Sequence, residues 1–292
     1  MSYQANRGSV FLEDARIIAH EAFAGQQYIL RVHAPQAARR ATPGSFAHIS
    51  CDPAVSMRRP LSIMRADPEA GWLEFLYKPR GAGLTKLAAR RPGESLSVMG
   101  PIGHGFEVDA SRPRLLALGG GVGIPPMIFL ADQVRSRPEL RPLVLMGSEV
   151  PFPFELIESR LPVPGVSGAA THGVALLEGW GVPSRLASNA GLTGARRGFI
   201  TDLARDWLEA LPATAHGEIQ VFACGPTPML KAAAKLARDF ALPCQVALEE
   251  FMACGIGGCA GCNVLLHTAD GPAMKRVCVD GPVFDAREVY AS

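Results

Sequence analysis

The sequence predicts a multidomain β plus α/β protein: a β-sandwich or barrel, a parallel α/β domain, then a small metal-held segment. Three observations predict it. Within residues 9–108, short apolar runs at 27–32, 45–49, 72–77 and 95–99 are separated by Pro and Gly, the rhythm of a sandwich or barrel. One short helix is expected among them, at 84–89. After Pro113 compact apolar runs alternate with helical stretches: a strand at 115–118, a helix at 126–135, strands at 143–146 and 220–223, and a helix at 227–239. That alternation indicates a parallel sheet. From Cys244 onward the chain is short-rhythmed and rich in Gly and Cys. The expected division is therefore 9–110, 111–243 and 244–292, with no internal repeat.

Composition narrows the function classes. The chain has 292 residues, 48% hydrophobic and 19% charged, enough apolar material for buried cores and too much for disorder. With 29 basic and 27 acidic residues the net charge is +2, so no broad field draws nucleic acid or a membrane surface. Aromatics at 7% offer little for stacking on single strands. No apolar run approaches the ~20 residues that span a bilayer. The opening MSYQANRGSVFLEDARI lacks the apolar stretch of a signal peptide. The cytoplasm is the expected location.

The cysteines carry the strongest signal. Cys254, Cys259 and Cys262 are spaced C-x4-C-x2-C, and Cys278 follows after 15 intervening residues. A [2Fe–2S] cluster needs four thiolates around two irons, with backbone N–H groups close to the sulfurs, and this spacing is the plant-type one. The intervening residues are almost all small, and glycine permits so tight a wrap. A structural zinc site is the main rival, but its cysteines usually come as two short-spaced pairs. Unligated core thiols fit poorly with such crowding. Cys51 and Cys244, by contrast, read as ordinary buried thiols.

Two nucleotide-type signals lie in the α/β region. The first is a strand running into Gly119-Gly120-Gly121-Val122-Gly123-Ile124-Pro125-Pro126. Bare glycines such as Gly121 and Gly123 let a pyrophosphate approach the backbone, and Pro suits a first helical turn whose N–H groups face the anion. It is not a full G-x-G-x-x-G fingerprint, and an ordinary tight turn remains open. The second is Cys224-Gly225-Pro226-Thr227-Pro228-Met229, at the carboxyl end of another strand, where ligands of open α/β sheets bind. In the β region, Arg58-Arg59-Pro60-Leu61-Ser62 pairs cationic and hydroxyl donors, and Arg59 suits a pyrophosphate. Leu76-Tyr77-Lys78, then Gly81-Ala82-Gly83-Leu84-Thr85, offer an aromatic face, a cation and a Gly-rich helix entry. A solvated Arg pair and a plain loop are the plainer alternatives.

Taken in order, RRPLS, YK…GAGLT, MGPIGHGF, LGGGVGIPPM, ACGPTPML and LEEFMACGIGGCAGC resemble the ferredoxin-reductase-type electron-transfer subunit of two-subunit (class 1B) dihydroorotate dehydrogenases. The resemblance runs from about residue 10 to Cys278. It implies an FAD-binding Greek-key barrel, an NAD-binding α/β domain and a C-terminal [2Fe–2S] domain. FAD would be bound by Arg59, Pro60, Leu61 and Ser62, by Leu76, Tyr77 and Lys78, and near Gly83, where Leu84 and Thr85 replace the usual Gly-Thr or Gly-Ser step. Gly121, Gly123, Cys224, Gly225 and Pro226 would serve the nucleotide. Cys254, Cys259, Cys262 and Cys278 would ligate the cluster. The partner implied is an FMN-containing catalytic subunit, two copies of each chain assembling together.

The chain departs from the family over residues 172–197, so cofactor choice stays open. Glu149 would favour NAD by accepting from a ribose 2′-OH, whereas Arg185, Arg196 and Arg197 would suit a 2′-phosphate; surface charge explains all four equally well. The expected function is electron relay between NAD(H), FAD, the cluster and a dihydroorotate dehydrogenase, with no acid, base or nucleophile. An NAD(P)H:acceptor subunit serving a ferredoxin, hydrogenase or sulfide-oxidising partner uses the same parts. A zinc-held scaffold is the reading from another class.

Overall fold

The structure, a computed structural model, describes residues 8–166, 168 and 170–291. They form two compact units. One contains the residues up to Gly105 together with Ala247–Val283; the other contains Phe106–Val246 together with the residues from Phe284 on.

The first unit is built on a closed antiparallel barrel of β1 (Phe11–Phe23), β2 (Gln27–His33), β3 (Phe46–Ser50), β4 (Arg59–Asp67), β5 (Trp72–Tyr77) and β6 (Ser95–Ile102). The order around it is β1-β2-β5-β4-β3-β6, so the β2–β3 connection crosses the positions that β4 and β5 then fill, and β5 pairs with β2, a Greek-key path. Alternation with period two fills the interior: Ala15 and Ile17 of β1 point in, and Leu30, Val32, Ile49, Ile63, Leu73, Phe75, Leu96 and Val98 join them. Each apolar run read as a strand in this region is one. β1 and β4 escaped that reading because Glu13, Asp14 and Arg16, or Arg59 and Arg65, interrupt their apolar residues on outward or rim positions. Two short helices, α1 (Pro35–Ala38) and α2 (Gly81–Ala88), complete the barrel.

The second unit carries β7 (Arg114–Gly120), β8 (Arg141–Gly147), a side ribbon of β9 (Leu156–Glu158) with β10 (His172–Val174), then β11 (Ser184–Ala187), β12 (Ile219–Cys224) and β13 (Cys244–Ala247). The main sheet runs β11-β8-β7-β12-β13, flanked by β16 (Val283–Asp285). β7 pairs in parallel with both β8 and β12. All six residues of β12 are buried, as expected of a strand covered on both faces. The covering helices are α3 (Ile124–Val134), α4 (Ala175–Gly179), α5 (Ile200–Glu209) and α6 (Thr227–Asp239), with α7 (Ala286–Val289) at the end. The divergent stretch 172–197 is thus a ribbon strand, a helical turn and the sheet's edge strand.

The cysteine-rich segment adds an antiparallel hairpin, β14 (Asn263–Thr268) and β15 (Gly271–Arg276). The amide of His104, just past β6, donates to Gly281 O at 2.6 Å. Gly103 allows that approach, since a Cβ there would meet Pro282 Cδ at 2.4 Å. Cys51 and Cys244 are core residues, 0% and 4% exposed, and burial pushes their thiols up to about 11 and about 12. Among the described residues no helix is long and apolar enough to cross a membrane.

Candidate functional site

The barrel wall opens where the sequence motifs lie. β4 pairs with β5 only from Ile63, opposite Phe75, onward. Arg59–Ser62 therefore bond to β3 alone, and Leu76 and Tyr77 to β2 alone. Pro60, which has no N–H, suits a strand stretch with one free edge. Backbone groups of 60–62 and 76–78 are left facing the gap, as a ligand laid along it requires.

The two neighbouring arginines do different work. Arg58 is tied inward: Nη1 donates to His48 O at 3.2 Å and Ser97 O at 2.9 Å, and Nη2 donates to Ser97 Oγ at 2.9 Å. Arg59 instead lays its guanidinium over the first turn of α2. A Cβ added to Gly83 would meet Arg59 Nε at 3.0 Å and Nη2 at 3.3 Å, so the bare α-carbon makes room for the cation. No side chain caps the start of α2, which leaves its N–H groups beside Arg59. A cation next to a helix N-terminus is the donor set for a pyrophosphate. Thr85 is exposed and its Oγ1 donates to Gly81 O at 3.0 Å, so neither it nor half-buried Leu84 offers a free hydroxyl. Lys78 is half-buried, and burial together with Arg80 lowers its pKa.

Tyr77 does not present its ring. It is 1% exposed, its hydroxyl sits 2.8 Å from His20 Nε2, and it stacks on Tyr28 with centroids 5.5 Å apart. Burial raises its pKa well above the usual phenol value. At Leu76 and Tyr77, both buried, it is the backbone that faces a ligand there.

In the second unit the two glycine turns meet at the carboxyl ends of adjacent β7 and β12. A Cβ at Gly123 would lie 2.4 Å from the carbonyl of Cys224, and one at Gly120 would lie 2.5 Å from Met229 Sδ. These glycines are needed for turn-on-turn packing. Gly121 is different, with φ +55° and nothing within 4 Å of an added Cβ, so its open side is free for a nucleotide. Cys224 is buried, 1% exposed. Glu149 is exposed just past the end of β8. Arg185 is buried and donates to Ser159 Oγ at 2.8 Å and Leu161 O at 2.6 Å. Arg196 pairs with Asp206, and Arg197 alone of the three is exposed.

Hairpin register brings two of the four cysteines together. Asn263 pairs with Arg276 and Val277 N–H donates to Cys262 O at 3.0 Å, which brings Cys278 Sγ to 3.3 Å from Cys262 Sγ. In the preceding loop Cys259 N–H points at Cys254 Sγ and Gly261 N–H at Cys259 Sγ, both at 3.4 Å. Gly255 and Gly257 have φ of +70° and +82°, and a Cβ at Gly257 would strike Val279 Cγ2 at 2.4 Å. Cys262 and Cys278 are 2% and 0% exposed; Cys254 is half-buried and Cys259 exposed. Burial raises the Cys254 thiol, but hydrogen bonds from the N–H groups of Ile256, Cys259 and Gly258 and from the Cys259 side chain outweigh it and bring the value to about 7. Burial and the neighbouring Cys262 push Cys278 up to about 12. Among the described residues no three Cys, His, Asp or Glu side chains close on a single ion. A two-iron cluster instead asks for thiolates in pairs with N–H donors to sulfur, and these residues fit it.

Sequence reasoning missed His48, buried beneath this loop, and the split between Arg58 and Arg59. Both depend on strand register, which leaves no local signal.

Residues 249–290 match the family described as the iron-sulfur cluster binding domain of dihydroorotate dehydrogenase B. The chain is 32% identical over 276 residues to the dihydroorotate dehydrogenase B (NAD(+)) electron transfer subunit of Caldanaerobacter subterraneus, covering 94% of this chain and 97% of that one. It is equally 32% identical over 285 residues to the subunit of the same name from a Geobacillus species, covering 95% and 98%. A solved NADH-dependent reduced ferredoxin-NADP oxidoreductase shares the fold with a TM-score of 0.76 at 24% identity, over 95% of this chain and 90% of that one. The ferredoxin reductase of carbazole 1,9a-dioxygenase does so at 0.60 and 19%, over 80% and 67%. With the thiolate pair, the open barrel wall and the glycine crevice in place, the chain belongs to the family of dihydroorotate dehydrogenase B (NAD(+)) electron transfer subunits.

Proposed function

We propose that this chain relays electrons between NAD and an FMN-containing dihydroorotate dehydrogenase catalytic subunit, through FAD and a [2Fe–2S] cluster, in cytoplasmic pyrimidine biosynthesis. The observation that carries this reading is the first unit itself, which brings the thiolate pairs and the opened motif-lined barrel wall into one compact body. When bound, FAD supplies the exchange between two-electron hydride transfer and one-electron transfer, and the cluster supplies the one-electron step.

The chain's residues bind and orient. Arg59, with the free N–H groups at the start of α2 near Gly83, Leu84 and Thr85, would hold the FAD pyrophosphate. Pro60, Leu61 and Ser62 on one side, and Leu76, Tyr77 and Lys78 on the other, would line the flavin along the gap. Gly121, Gly123, Cys224, Gly225 and Pro226 would seat the pyridine nucleotide. Glu149 would accept from its ribose, favouring NAD over NADP, and the fixed partners of Arg185 and Arg196 support that preference. Cys254, Cys259, Cys262 and Cys278 would hold the irons. By function the chain divides at 9–110 for FAD, 111–243 for NAD and 244–292 for the cluster. Around the cysteine loop Phe251 and Ile256 are 93% and 57% exposed, which supports a protein partner there.

Mixing the loaded chain with an FMN-type catalytic subunit is expected to give dihydroorotate-dependent NADH formation that neither protein gives alone. Equal NADH formation by the catalytic subunit alone, or none from the loaded pair, contradicts the reading.

A further inference from the structure

His48 lies on β3 at 0% exposure, and neither of its ring nitrogens has a hydrogen-bond partner. A neutral imidazole carries one N–H donor and one acceptor, and leaving such groups unmet away from water is unfavourable. The ring sits against the cysteine loop. A Cβ added to Gly255 would come within 2.8 Å of His48 Nδ1 and 3.4 Å of its Cγ. Gly255 follows Cys254 directly, and its φ of +70° is itself a glycine conformation. Glycine is thus required twice at this point, by the backbone and by the imidazole. From its other side His48 is held by the motif strand: Pro60 is its register partner, and Arg58 Nη1 donates to its carbonyl at 3.2 Å. The carbonyls of Arg58 and Cys254 also face the ring, but neither reaches hydrogen-bonding geometry with its nitrogens. An acceptor carried by the loop would complete the arrangement, and the sulfurs of a bound cluster are acceptors.

We infer that the Nδ1–H of His48 donates a hydrogen bond to the sulfur shell carried by Cys254 when the cluster is bound, making His48 a positioning residue that sets the cluster's potential. The inference rests on the cluster reading above. Reduction adds negative charge to the sulfurs, and an N–H directed at them favours the reduced state. The other donors to sulfur are loop amides, among them those of Ile256, Gly258, Cys259 and Gly261. His48 is a donor from the barrel, on a strand that pairs with Arg59–Ser62, and so links the cluster to the flavin-type motif.

The test uses the loaded protein with His48→Leu, His48→Asn and His48→Gln, counting iron, sulfide and FAD before a potentiometric titration followed by EPR. His48→Leu is expected to keep its iron and FAD but to disfavour the reduced cluster about tenfold, a shift of about 59 mV for a one-electron couple. Asn places an N–H near the Nδ1 position and is expected to restore most of the shift; Gln, reaching the Nε2 position, is not. A wild-type potential in His48→Leu, or an equal shift in all variants, would overturn the inference. If His48→Leu fails to assemble, Asn against Gln decides: equal potentials overturn it, and a wild-type-like value in Asn alone supports it. Failure of the cluster reading itself is distinct, since wild-type protein would then hold no iron.

Discussion

A Cys259→Ser protein is expected to lose the cluster while keeping FAD. Cys259 is exposed, so the substitution opens no cavity, and surface changes of this kind stay within about 0.5 kcal/mol. What it removes is one of four thiolates, and the two-iron centre needs all of them. Iron content and the broad visible absorbance should fall to background, while flavin released on denaturation stays near one per chain. Retention of full cluster absorbance with unchanged iron would show that the ligand set is wrong. Cys278→Ser makes a poorer test because that thiol is buried against Cys262, and its loss mixes packing with ligation.

The adjacent arginines should separate cleanly. Arg59→Ala is expected to weaken FAD binding by roughly ten- to a hundredfold, the worth of a hydrogen bond to a charged group at about 1.5–3 kcal/mol, with little change in thermal stability of the flavin-free protein. Arg58→Ala should do the reverse. It strips the donor from His48 O, Ser97 O and Ser97 Oγ, and unmet buried acceptors cost about 1–3 kcal/mol, which appears as a lower Tm. Flavin fluorescence titration and thermal melts on both variants decide it. A larger loss of FAD affinity in Arg58→Ala than in Arg59→Ala would reverse the assignment.

That contrast shows where sequence reading stops. Two identical residues in one motif are indistinguishable until strand register sends one toward Ser97 and the other over Gly83. The cysteine ligands were legible because cluster chemistry imposes a local spacing on the chain. The route by which Cys278 reaches Cys262 was not, since β14 and β15 expose Leu265 and Met274 and show no plain apolar alternation. Tyr77 was read as an offered aromatic face, yet its ring belongs to a buried group with His20 and Tyr28. His20 is 57 residues away in sequence, so no window would pair them. The strands at 72–77 and 220–223 and the helix at 227–239 were readable because compact apolar runs bounded by Gly and Pro are set by local physics. Arg185 and Arg196 looked free for a phosphate. Only the sheet edge at Ser184–Ala187 reveals that Ser159, Leu161 and Asp206 already engage them.

On the proposed function this chain carries both a flavin and a [2Fe–2S] cluster that accept electrons from NADH. Anaerobic purification followed by a visible spectrum, recorded before and after NADH and then NADPH, tests it most directly. Flavin bands on a broad cluster absorbance, bleached by NADH at far lower concentration than by NADPH, are expected. A colourless, zinc-containing protein that releases no flavin on denaturation would contradict it.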